Sequence, residues 1–438
     1  MNRRLTLAAF LLAAVLLLSG CGLQTVDKMY SLPRRSAEYN DLQTAIDGAM
    51  NGLEYSAPVS GENQQTVQIA DLNGDGVDEY LLFARGTSEK PMQILIFGLD
   101  NGSYSLWETI ESRGSAFELV EYADMDGKPG LEIVVGRQVS DQVLRSLSVH
   151  TFSGGNAELL LSVNYARFVT SDLDSDGRTE VMVIAPGDTE ADNAVATLYS
   201  YQDGTMVRSA EAGLSEPSDH IKRIRVSSLQ GGVPAVYVAS AVEESAIITD
   251  IFALKDGRFT NMSFSSDSGT SVQTLRNYYV YADDIDDDGV LELPSLITMN
   301  SRERSEHLHY LIRWYAMKLS GEETDKMYTF HNFDGGWYLQ LDRAYAPRIT
   351  VSQDGSNYSF YLWDEEMRSN EKIMTVLAFT GPNRDEAAVE DGRFVLYRGD
   401  GIVYAAKLEA AASSYALTQD NLVESFHLIH QDWKTGET

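Results

Sequence analysis

The sequence predicts a mainly β protein, with a central β-propeller of about five blades followed by a smaller α+β domain. Two observations predict this fold class. An acidic nine-residue segment recurs about every 50 residues, and a glycine-containing hairpin turn recurs at the same interval. Short apolar runs rich in β-branched and aromatic residues flank both markers, as expected of buried strands. A period of about 50 residues suits a four-stranded propeller blade.

The acidic segment has three strong copies, at residues 71–79, 172–180 and 284–292. A weaker copy occupies residues 124–132, and a copy without any carboxylate occupies residues 228–236. The starts of the five segments are separated by 53, 48, 56 and 56 residues. Such a fixed spacing is typical of stacked structural repeats.

Hairpin turns keep the same interval. Strand-like runs end in glycine turns at Gly102, Gly155, Gly204 and Gly257, which are 53, 49 and 53 residues apart. Asn-Gly and Asp-Gly between apolar runs are hairpin signals. The two markers together predict about five blades over residues 67–330.

The interval is lost from residue 331 onward. Strand-like runs there, followed by a helix capped at Thr418, predict an α+β domain over residues 331–438. The alternative is that two degenerate blades in this part complete a seven-bladed propeller.

Alternate positions of the acidic segment offer oxygen ligands for calcium. Calcium takes six to eight oxygens in flexible geometry, which one tight acidic loop can supply. Side chains at positions 1, 3 and 5, a backbone carbonyl at position 7 and a carboxylate at position 9 would bind it. The predicted ligands are Asp71, Asn73, Asp75, Val77 and Glu79; Asp172, Asp174, Asp176, Arg178 and Glu180; and Asp284, Asp286, Asp288, Val290 and Glu292. Position 6 is glycine, where a positive φ is expected.

The nine-residue loops resemble the calcium loops of FG-GAP/VCBS repeats, the blades of integrin-α-type propellers. An EF-hand would instead place a glutamate at position 12 between two helices. Position 12 here is Leu82, Val183 or Ser295, and strands flank the loops. The resemblance covers about 260 residues and implies a calcium-binding propeller of the kind that commonly serves adhesion or ligand capture.

Two loops depart from this pattern. In loop 124–132, Lys128 replaces the carboxylate at position 5, and its ammonium is expected to pair with Asp124, Asp126 and Glu132 in place of calcium. This loop is a weak candidate metal site, and the loop that starts at Ser228 is expected to be metal-free. We therefore expect about three calcium ions.

The N-terminal segment predicts export and lipid anchoring. Arg3 and Arg4 precede an apolar run over residues 5–18, which is too short to span a bilayer of about 30 Å. The following Leu-Ser-Gly-Cys resembles a lipobox, which implies removal of residues 1–20 as a signal peptide and lipidation of Cys21. Residues 21–66 are then predicted to be a lipidated tether containing a short helix from Ser36 to Met50.

Composition excludes several function classes. Thirty-four Lys and Arg against 65 Asp and Glu give a formal net charge of −31 at pH 7. So acidic a chain argues against nucleic acid as a partner. Because Cys21 is the only cysteine, the mature chain has no intramolecular disulfide, no cysteine-bound metal and no thiol nucleophile.

Two further sequence patterns resemble catalytic or metal-binding motifs, but each lacks part of the motif. Ser369-x-x-Lys372 and the Lys-Thr-Gly at residues 434–436 match motifs of penicillin-binding proteins. Ser369, however, is predicted to lie in a polar loop between strands and not at the start of a helix, so we interpret the match as coincidence. The Glu-His-Leu-His at residues 306–309 would place two imidazoles on one strand face without a nearby third histidine, so an exposed strand is the preferred interpretation.

Three hypotheses for function follow. The first is a lipid-anchored, extracytoplasmic calcium-binding module for surface adhesion or scaffolding, with an extracellular protein or polysaccharide as its ligand. The second is an extracellular hydrolase or lyase acting on a cell-wall or matrix polymer. The third is an envelope assembly or sensing subunit. The absence of a recognisable nucleophile arrangement in the sequence favours the first and third over an enzyme.

Overall fold

The structure is a computed structural model that describes residues 37–139, 145–187, 189, 192–242, 246–278, 280–299, 309–364 and 369–429. The predicted signal peptide, the lipidation site Cys21 and the cap residue Ser36 lie outside the described residues, as do residues 306–308 and 434–436. No described helix is long and apolar enough to cross a membrane.

The chain is mainly β, as predicted, and its described strands form six antiparallel sheets. Sheet 1 contains β1 (Glu54–Tyr55), β2 (Val67–Ala70), β3 (Glu79–Arg85), β4 (Met92–Asp100) and β5 (Ser103–Ser112). Sheet 2 contains β6 (Ala116–Ala123), β7 (Glu132–Gln138), β8 (Arg145–Ser153) and β9 (Asn156–Tyr165). Sheet 3 contains β10 (Arg167–Ser171), β11 (Glu180–Ala185), β12 (Val195–Gln202) and β13 (Thr205–Gly213).

The remaining three sheets follow in chain order. Sheet 4 contains β14 (Ile221–Leu229), β15 (Val233–Val242), β16 (Ala246–Lys255) and β17 (Arg258–Asn261). Sheet 5 contains β18 (Leu293–Thr298), β19 (Tyr310–Met317), β20 (Glu323–Asn332), β21 (Trp337–Leu341) and the late strand β27 (Phe426–Leu428). Sheet 6 contains β22 (Ile349–Asp354), β23 (Asn357–Asp364), β24 (Ser369–Thr380), β25 (Phe394–Gly399) and β26 (Ile402–Leu408). Its order is β22-β23-β24-β26-β25.

Helices are few among the described residues. The α-helices are α1 (Ala37–Ala49), α2 (Arg384–Ala387) and α3 (Gln419–Glu424). Short 3₁₀ helices cover Ser218–His220, Val272–Thr274, Ala346–Arg348, Glu390–Gly392 and Ala410–Tyr415. The hydroxyl of Thr418 accepts a hydrogen bond from the Asn421 N–H at 3.2 Å, which confirms the predicted cap of α3.

The predicted glycine hairpins join the last two strands of sheets 1 to 4. At each turn two successive residues have positive φ, such as Asp203 at 51° and Gly204 at 94°. Tight turns of this kind match the right-handed twist of the strands that they connect. The hairpin signal in the sequence is therefore confirmed, and it fixes the register of each outer strand pair.

Each sheet packs on the next one along the chain through its own apolar core. Successive cores join sheets 1 and 2, 2 and 3, 3 and 4, 4 and 5, and 5 and 6. Between sheets 1 and 2, for example, the rings of Phe83 and Phe117 meet edge to face at 5.1 Å. The sequence period of about 50 residues thus corresponds to one sheet that buries a face on each neighbour.

The two terminal sheets have their outer faces covered by helices. Leu42 and Ile46 of α1 pack on the side of sheet 1 that includes Phe97, and Ala388 after α2 packs on Ala405 of sheet 6. None of the apolar cores of the described residues combines sheet 6 with sheet 1. Because α1 packs on sheet 1, the helix predicted over residues 36–50 is an integral part of the folded protein. Strand β1, which also lies in the predicted tether, pairs with β3.

The domain boundary predicted at residues 330 and 331 falls inside strand β20. Trp337, beyond that boundary, is buried in a core that includes Phe330 of sheet 5 and Phe360 of sheet 6. The end of the chain also returns to sheet 5 as β27. Within the described residues, residues 331–408 add strand β21 to sheet 5 and form one further sheet, sheet 6. The alternative prediction expected two further blades in this part of the chain.

Candidate metal centres in the acidic loops

Four acidic loops occupy equivalent places in the fold. Loop 71–79 joins β2 to β3 in sheet 1, loops 124–132 and 172–180 join the first and second strands of sheets 2 and 3, and loop 284–292 leads into the first strand of sheet 5. The residue before each loop pairs with its closing glutamate: Ala70 with Glu79, Ala123 with Glu132, Ser171 with Glu180, and Asp283 with Glu292. Antiparallel pairing thus brings position 9 back beside position 1.

The loop backbone turns sharply at two positions. The predicted positive φ at position 6 is confirmed, with 84°, 89° and 85° at Gly76, Gly177 and Gly289. Position 4 also has positive φ, with 73°, 62° and 57° at Gly74, Ser175 and Asp287. The turn at position 4 was not predicted, because serine and aspartate carry no such expectation in the sequence.

Backbone N–H groups hold the carboxylates of each loop in place. In loop 172–180, Asp172 accepts hydrogen bonds from the N–H groups of Asp176 at 3.1 Å and Gly177 at 3.0 Å. The bond from position 6 to position 1 is 2.9 Å in both loop 71–79 and loop 284–292. Because each carboxylate oxygen can accept more than one bond, these oxygens remain able to bind a cation.

The closing glutamates are buried. Their exposed fractions are 2% for Glu79, 3% for Glu132, 4% for Glu180 and 0% for Glu292. One oxygen of each accepts the N–H of the residue at position 2, at 2.8, 2.8, 2.9 and 3.1 Å in chain order. The buried Oε1 of Glu292 forms no hydrogen bond with the described residues. A buried carboxylate requires a compensating cation or a proton.

The raised pKa values of the closing glutamates also indicate that these carboxylates need a compensating cation or proton. Burial raises the pKa of Glu180 to about 7, and repulsion from neighbouring carboxylates such as Asp174 adds to this rise. Burial likewise raises the pKa of Glu292 to about 7, with Asp286 contributing. The pKa values of Glu79 and Glu132 are also raised by burial. A divalent cation held among these oxygens would offset both the burial and the repulsion.

The structure gathers three acidic clusters able to hold a metal ion, in which the oxygens lie within 4.8 Å of one another. They are Asp124, Asp126 and Glu132; Asp172, Asp174 and Glu180; and Asp284, Asp286 and Glu292. Two of these belong to the predicted strong loops, and the third is the loop predicted to be weak.

Loop 71–79 differs because position 3 is an amide. The side-chain nitrogen of Asn73 donates to Oε1 of Glu79 at 2.9 Å, and its Oδ1 accepts the Asp75 N–H at 2.8 Å. The Asn73 oxygen and the carboxylates of Asp71 and Asp75 are the ligand types that calcium prefers. It is also the one loop of the four in which no lysine or arginine of the described residues pairs with a loop carboxylate.

Lys326 supplies an ammonium group to loop 284–292, a contact that the sequence pattern does not indicate. Its Nζ lies 3.4 Å from Oδ2 of Asp286 and 3.8 Å from Oε1 of Glu292, and it also pairs with Asp288. Lys326 belongs to β20, so only the register of sheet 5 brings it to a loop that ends 34 residues earlier. The lysine therefore competes for the place of a metal ion in this loop.

Replacing Lys326 by methionine is expected to raise the calcium affinity of loop 284–292 by at least about tenfold, measured by calorimetric titration of chelator-treated protein. The aliphatic stem is retained, whereas two unit charges 4 Å apart interact by about 4 kcal/mol near a protein surface. Lys318→Met is the matched control, because Lys318 lies in the connection between β19 and β20 and pairs with Glu322 outside the loop. Equal calcium affinities in Lys326→Met and wild type would contradict the competition.

Two other cations touch the loops from their outer side. Lys128 pairs with Asp126 at 2.6 Å and donates to the hydroxyl of Tyr201 at 3.1 Å. Its side chain is 65% exposed and forms no ion pair with Asp124 or Glu132, so the prediction that it fills the metal position is wrong. Arg178 pairs with Asp176 across the loop rim.

Consecutive loops are linked through their backbones. The Leu131 N–H donates to the carbonyl of Asp71 at 3.1 Å, and the Thr179 N–H donates to the carbonyl of Asp124 at 2.7 Å. A Cβ on Gly74 would lie 2.3 Å from Cβ of Pro129, so this contact requires glycine. Loops 71–79, 124–132 and 172–180 therefore form one continuous row.

The other candidate site residues from the sequence, outside the four acidic loops, are not brought together by the described part of the structure. Residues 228–236 form a plain hairpin between β14 and β15. His309 lies in a ring cluster, 6.0 Å from Phe330 and 6.3 Å from Tyr358, and residues 306–308 are outside the described part. Lys372 lies 3.8 Å from Glu409. The Lys-Thr-Gly at 434–436 also falls outside the described residues.

Comparison with known proteins gives no family. No family model matches the sequence, and no curated protein matches it. Among solved structures, the chain is similar to the exotype rhamnogalacturonan lyase YesX, with 12% identity, a TM-score of 0.29, and coverage of 73% of this chain and 65% of that chain. It thus spans just under two thirds of the length of YesX.

Two further solved structures show similar levels of likeness. The rhamnogalacturonan lyase PL11 of Bacillus licheniformis has 10% identity and a TM-score of 0.31 over 73% of this chain and 91% of that chain. Saccharomyces cerevisiae Sqt1 has 11% identity and a TM-score of 0.27 over 71% of this chain and 74% of that chain. These values are too low to assign the chain to either group.

Proposed function

We propose that this protein is a lipid-anchored, extracytoplasmic calcium-binding β-propeller that serves as a surface binding or scaffold module. The observation that carries the proposal is the buried closing glutamate, held by one oxygen at the same place in four loops. Repeated burial of an acid beside other acids costs free energy that a bound cation offsets.

Calcium is the cation proposed because the ligands are carboxylate and amide oxygens on one flexible loop. Magnesium demands near-ideal octahedral geometry and retains its waters, so it fits a loop of this kind less well. We propose about three ions, in loops 71–79, 172–180 and 284–292, with the last weakened by Lys326. The ion pair between Lys128 and Asp126 disfavours a further ion in loop 124–132.

The arrangement of the sheets supports the propeller. Sheets 2, 3 and 4 are four-stranded antiparallel meanders in chain order, and each packs face to face on its neighbours. The acidic loops of sheets 2 and 3 join the first strand to the second, and that of sheet 1 joins β2 to β3. This is the construction of propeller blades, and we propose that the sheets are such blades, with helices, instead of a core between sheets 6 and 1, covering the outer faces of the two terminal sheets in the described residues.

Calorimetric titration of chelator-treated protein tests the metal proposal. We expect about three calcium ions with dissociation constants of about 10⁻⁴ to 10⁻³ M, as in extracellular modules, and much weaker binding of magnesium. A protein that takes up no calcium at millimolar concentration, or that binds magnesium equally well, would contradict it.

The lipid anchor has a separate test. Cys21→Ala is expected to abolish membrane association while leaving calcium binding unchanged, because the proposed anchor is purely acyl. Partitioning of both proteins between detergent and aqueous phases measures the effect. Equal recovery of the variant and wild type in the detergent phase would refute lipidation at Cys21.

A further inference from the structure

A polar cleft lies between sheets 1 and 2, away from the acidic loops. Its volume is about 290 Å³, and its walls come from the end of β5 and from β7, β8 and β9. Val135 of β7 belongs to the apolar core between the two sheets, and Arg137 follows two residues later on the same face of the strand. The apolar core therefore ends at Val135, and Arg137, the next residue on this face of β7, lines the cleft.

Arg137 is buried without a counter-charge. Its exposed fraction is 8%, its Nε has no hydrogen-bond partner, and none of the described carboxylates forms an ion pair with it. Burial lowers the pKa of the guanidinium, but arginine stays charged in proteins. A buried cation with no partner costs several kcal/mol in a folded protein, so the charge is expected to meet a ligand.

The two buried titratable neighbours of Arg137 are uncharged at neutral pH, and the exposed Glu111 and Arg113 also line the cleft. Burial, aided by the charge of Arg137, lowers the pKa of His150 to about 4, so its imidazole is uncharged at neutral pH. Burial raises the pKa of Tyr165, whose hydroxyl donates to Glu118 at 2.8 Å. Neither group neutralises the guanidinium.

Hydroxyl and amide groups continue the polar surface across the sheet. Ser146 pairs across strands with Arg137 on one side and with Asn164 on the other, and Ser148 pairs with Ser162. Directly paired side chains lie about 4.5–5.5 Å apart, so these hydroxyl and amide groups extend from Arg137 across β8 to β9 on one face of the sheet. Serine hydroxyls both donate and accept, as sugar hydroxyls require.

We propose that this cleft binds a carboxylate on a small polyhydroxylated ligand, of the acidic-sugar class, with Arg137 as the carboxylate receptor. The guanidinium presents a planar fork of N–H donors that matches a carboxylate with two parallel bonds. The serines and Asn164 then bond the hydroxyl groups of the same molecule. This inference goes beyond the calcium module, since the cleft shares no residue with the acidic loops.

The test uses glucuronate and glucose, which differ only in the carboxylate, with sulfate as a tetrahedral anion. Binding to the whole mature protein is followed by calorimetry. We expect glucuronate to bind, and glucose and sulfate to bind at least about tenfold more weakly, the effect of one charge-assisted hydrogen bond. Equal binding of glucose, or of sulfate, would overturn the assignment to a carboxylate.

Variants locate the site. Arg137→Gln should weaken glucuronate binding by at least about tenfold, and Ser162→Ala, a change at an exposed wall residue, should weaken it by a few-fold. Arg208→Gln, at an exposed arginine of β13 outside the cleft, is the matched control and should bind nearly as wild type does. Melting curves should show that Arg137→Gln is folded, because it removes an unpaired buried charge. Unchanged binding in both Arg137→Gln and Ser162→Ala, or no binding to wild type, would overturn the proposal.

Discussion

Glu180→Gln is expected to remove part of the calcium-induced rise in melting temperature and to leave the melting temperature in chelator at or above the wild-type value. Glutamine retains an oxygen that can accept the Leu173 N–H, now at 2.9 Å from the carboxylate. It removes the negative charge, and with it the closing ligand. The two conditions should therefore shift in opposite senses relative to wild type.

The size of this effect follows from binding linkage. A cation that binds only the folded state adds about 1.4 kcal/mol per site at tenfold excess over its dissociation constant. Three sites would contribute roughly 4 kcal/mol, a large share of the stability of a typical protein. Glu180→Gln should remove about one third of it.

Glu158→Gln is the matched control for this experiment, because Glu158 is an exposed carboxylate on β9 outside every loop. Its calcium response should equal that of wild type. Thermal melting of all three proteins in chelator and in calcium gives the comparison. A full wild-type calcium response in Glu180→Gln would remove Glu180 from the ligands.

Trp337→Ala is expected to lower the free energy of unfolding of the whole protein by about 3–5 kcal/mol, the usual cost of deleting a buried tryptophan. Trp337 is 1% exposed. Its ring lies 5.8 Å from Phe330 in sheet 5, 5.5 Å from Tyr358 in sheet 6 and 5.4 Å from Phe426 in the returning strand β27. One side chain thus joins three parts of the C-terminal half.

Trp363→Ala is the control, because Trp363 is a partly exposed tryptophan of sheet 6 that belongs to none of the apolar cores. It should cost much less than Trp337→Ala. Denaturant unfolding, followed by circular dichroism, measures both. Two separate transitions, of which only one moves in Trp337→Ala, would restore an independent domain over residues 331–438.

The acidic loops and the hairpins were predictable because their chemistry is local. The ligands of one loop lie within nine residues, and an Asp-Gly pair determines its own turn. The strands of sheets 1 to 4 follow from the same signals. Lys128 at position 5 led to the prediction that loop 124–132 is a weak metal site, although the three carboxylates of this loop do lie close together.

Features that depend on sheet packing were not predictable. Lys326 reaches loop 284–292 only through the register of β18, β19 and β20. Arg137 faces a cleft only because β5 of sheet 1 lies over sheet 2. In sheet 6 the strand order departs from chain order, with α2 between β24 and β25, so the repeat interval is lost although a sheet of the same kind is formed.

The backbone bonds between consecutive loops have a thermodynamic consequence. The carbonyl that accepts each bond belongs to a position-1 aspartate, Asp71 or Asp124, which is also a candidate ligand. An ion that immobilises loop 172–180 therefore restricts Asp124, and the entropy lost in ordering the next loop is correspondingly smaller. For the ions proposed in loops 71–79 and 172–180, nearest-neighbour coupling through loop 124–132, as in linear repeat arrays, predicts positive cooperativity of binding.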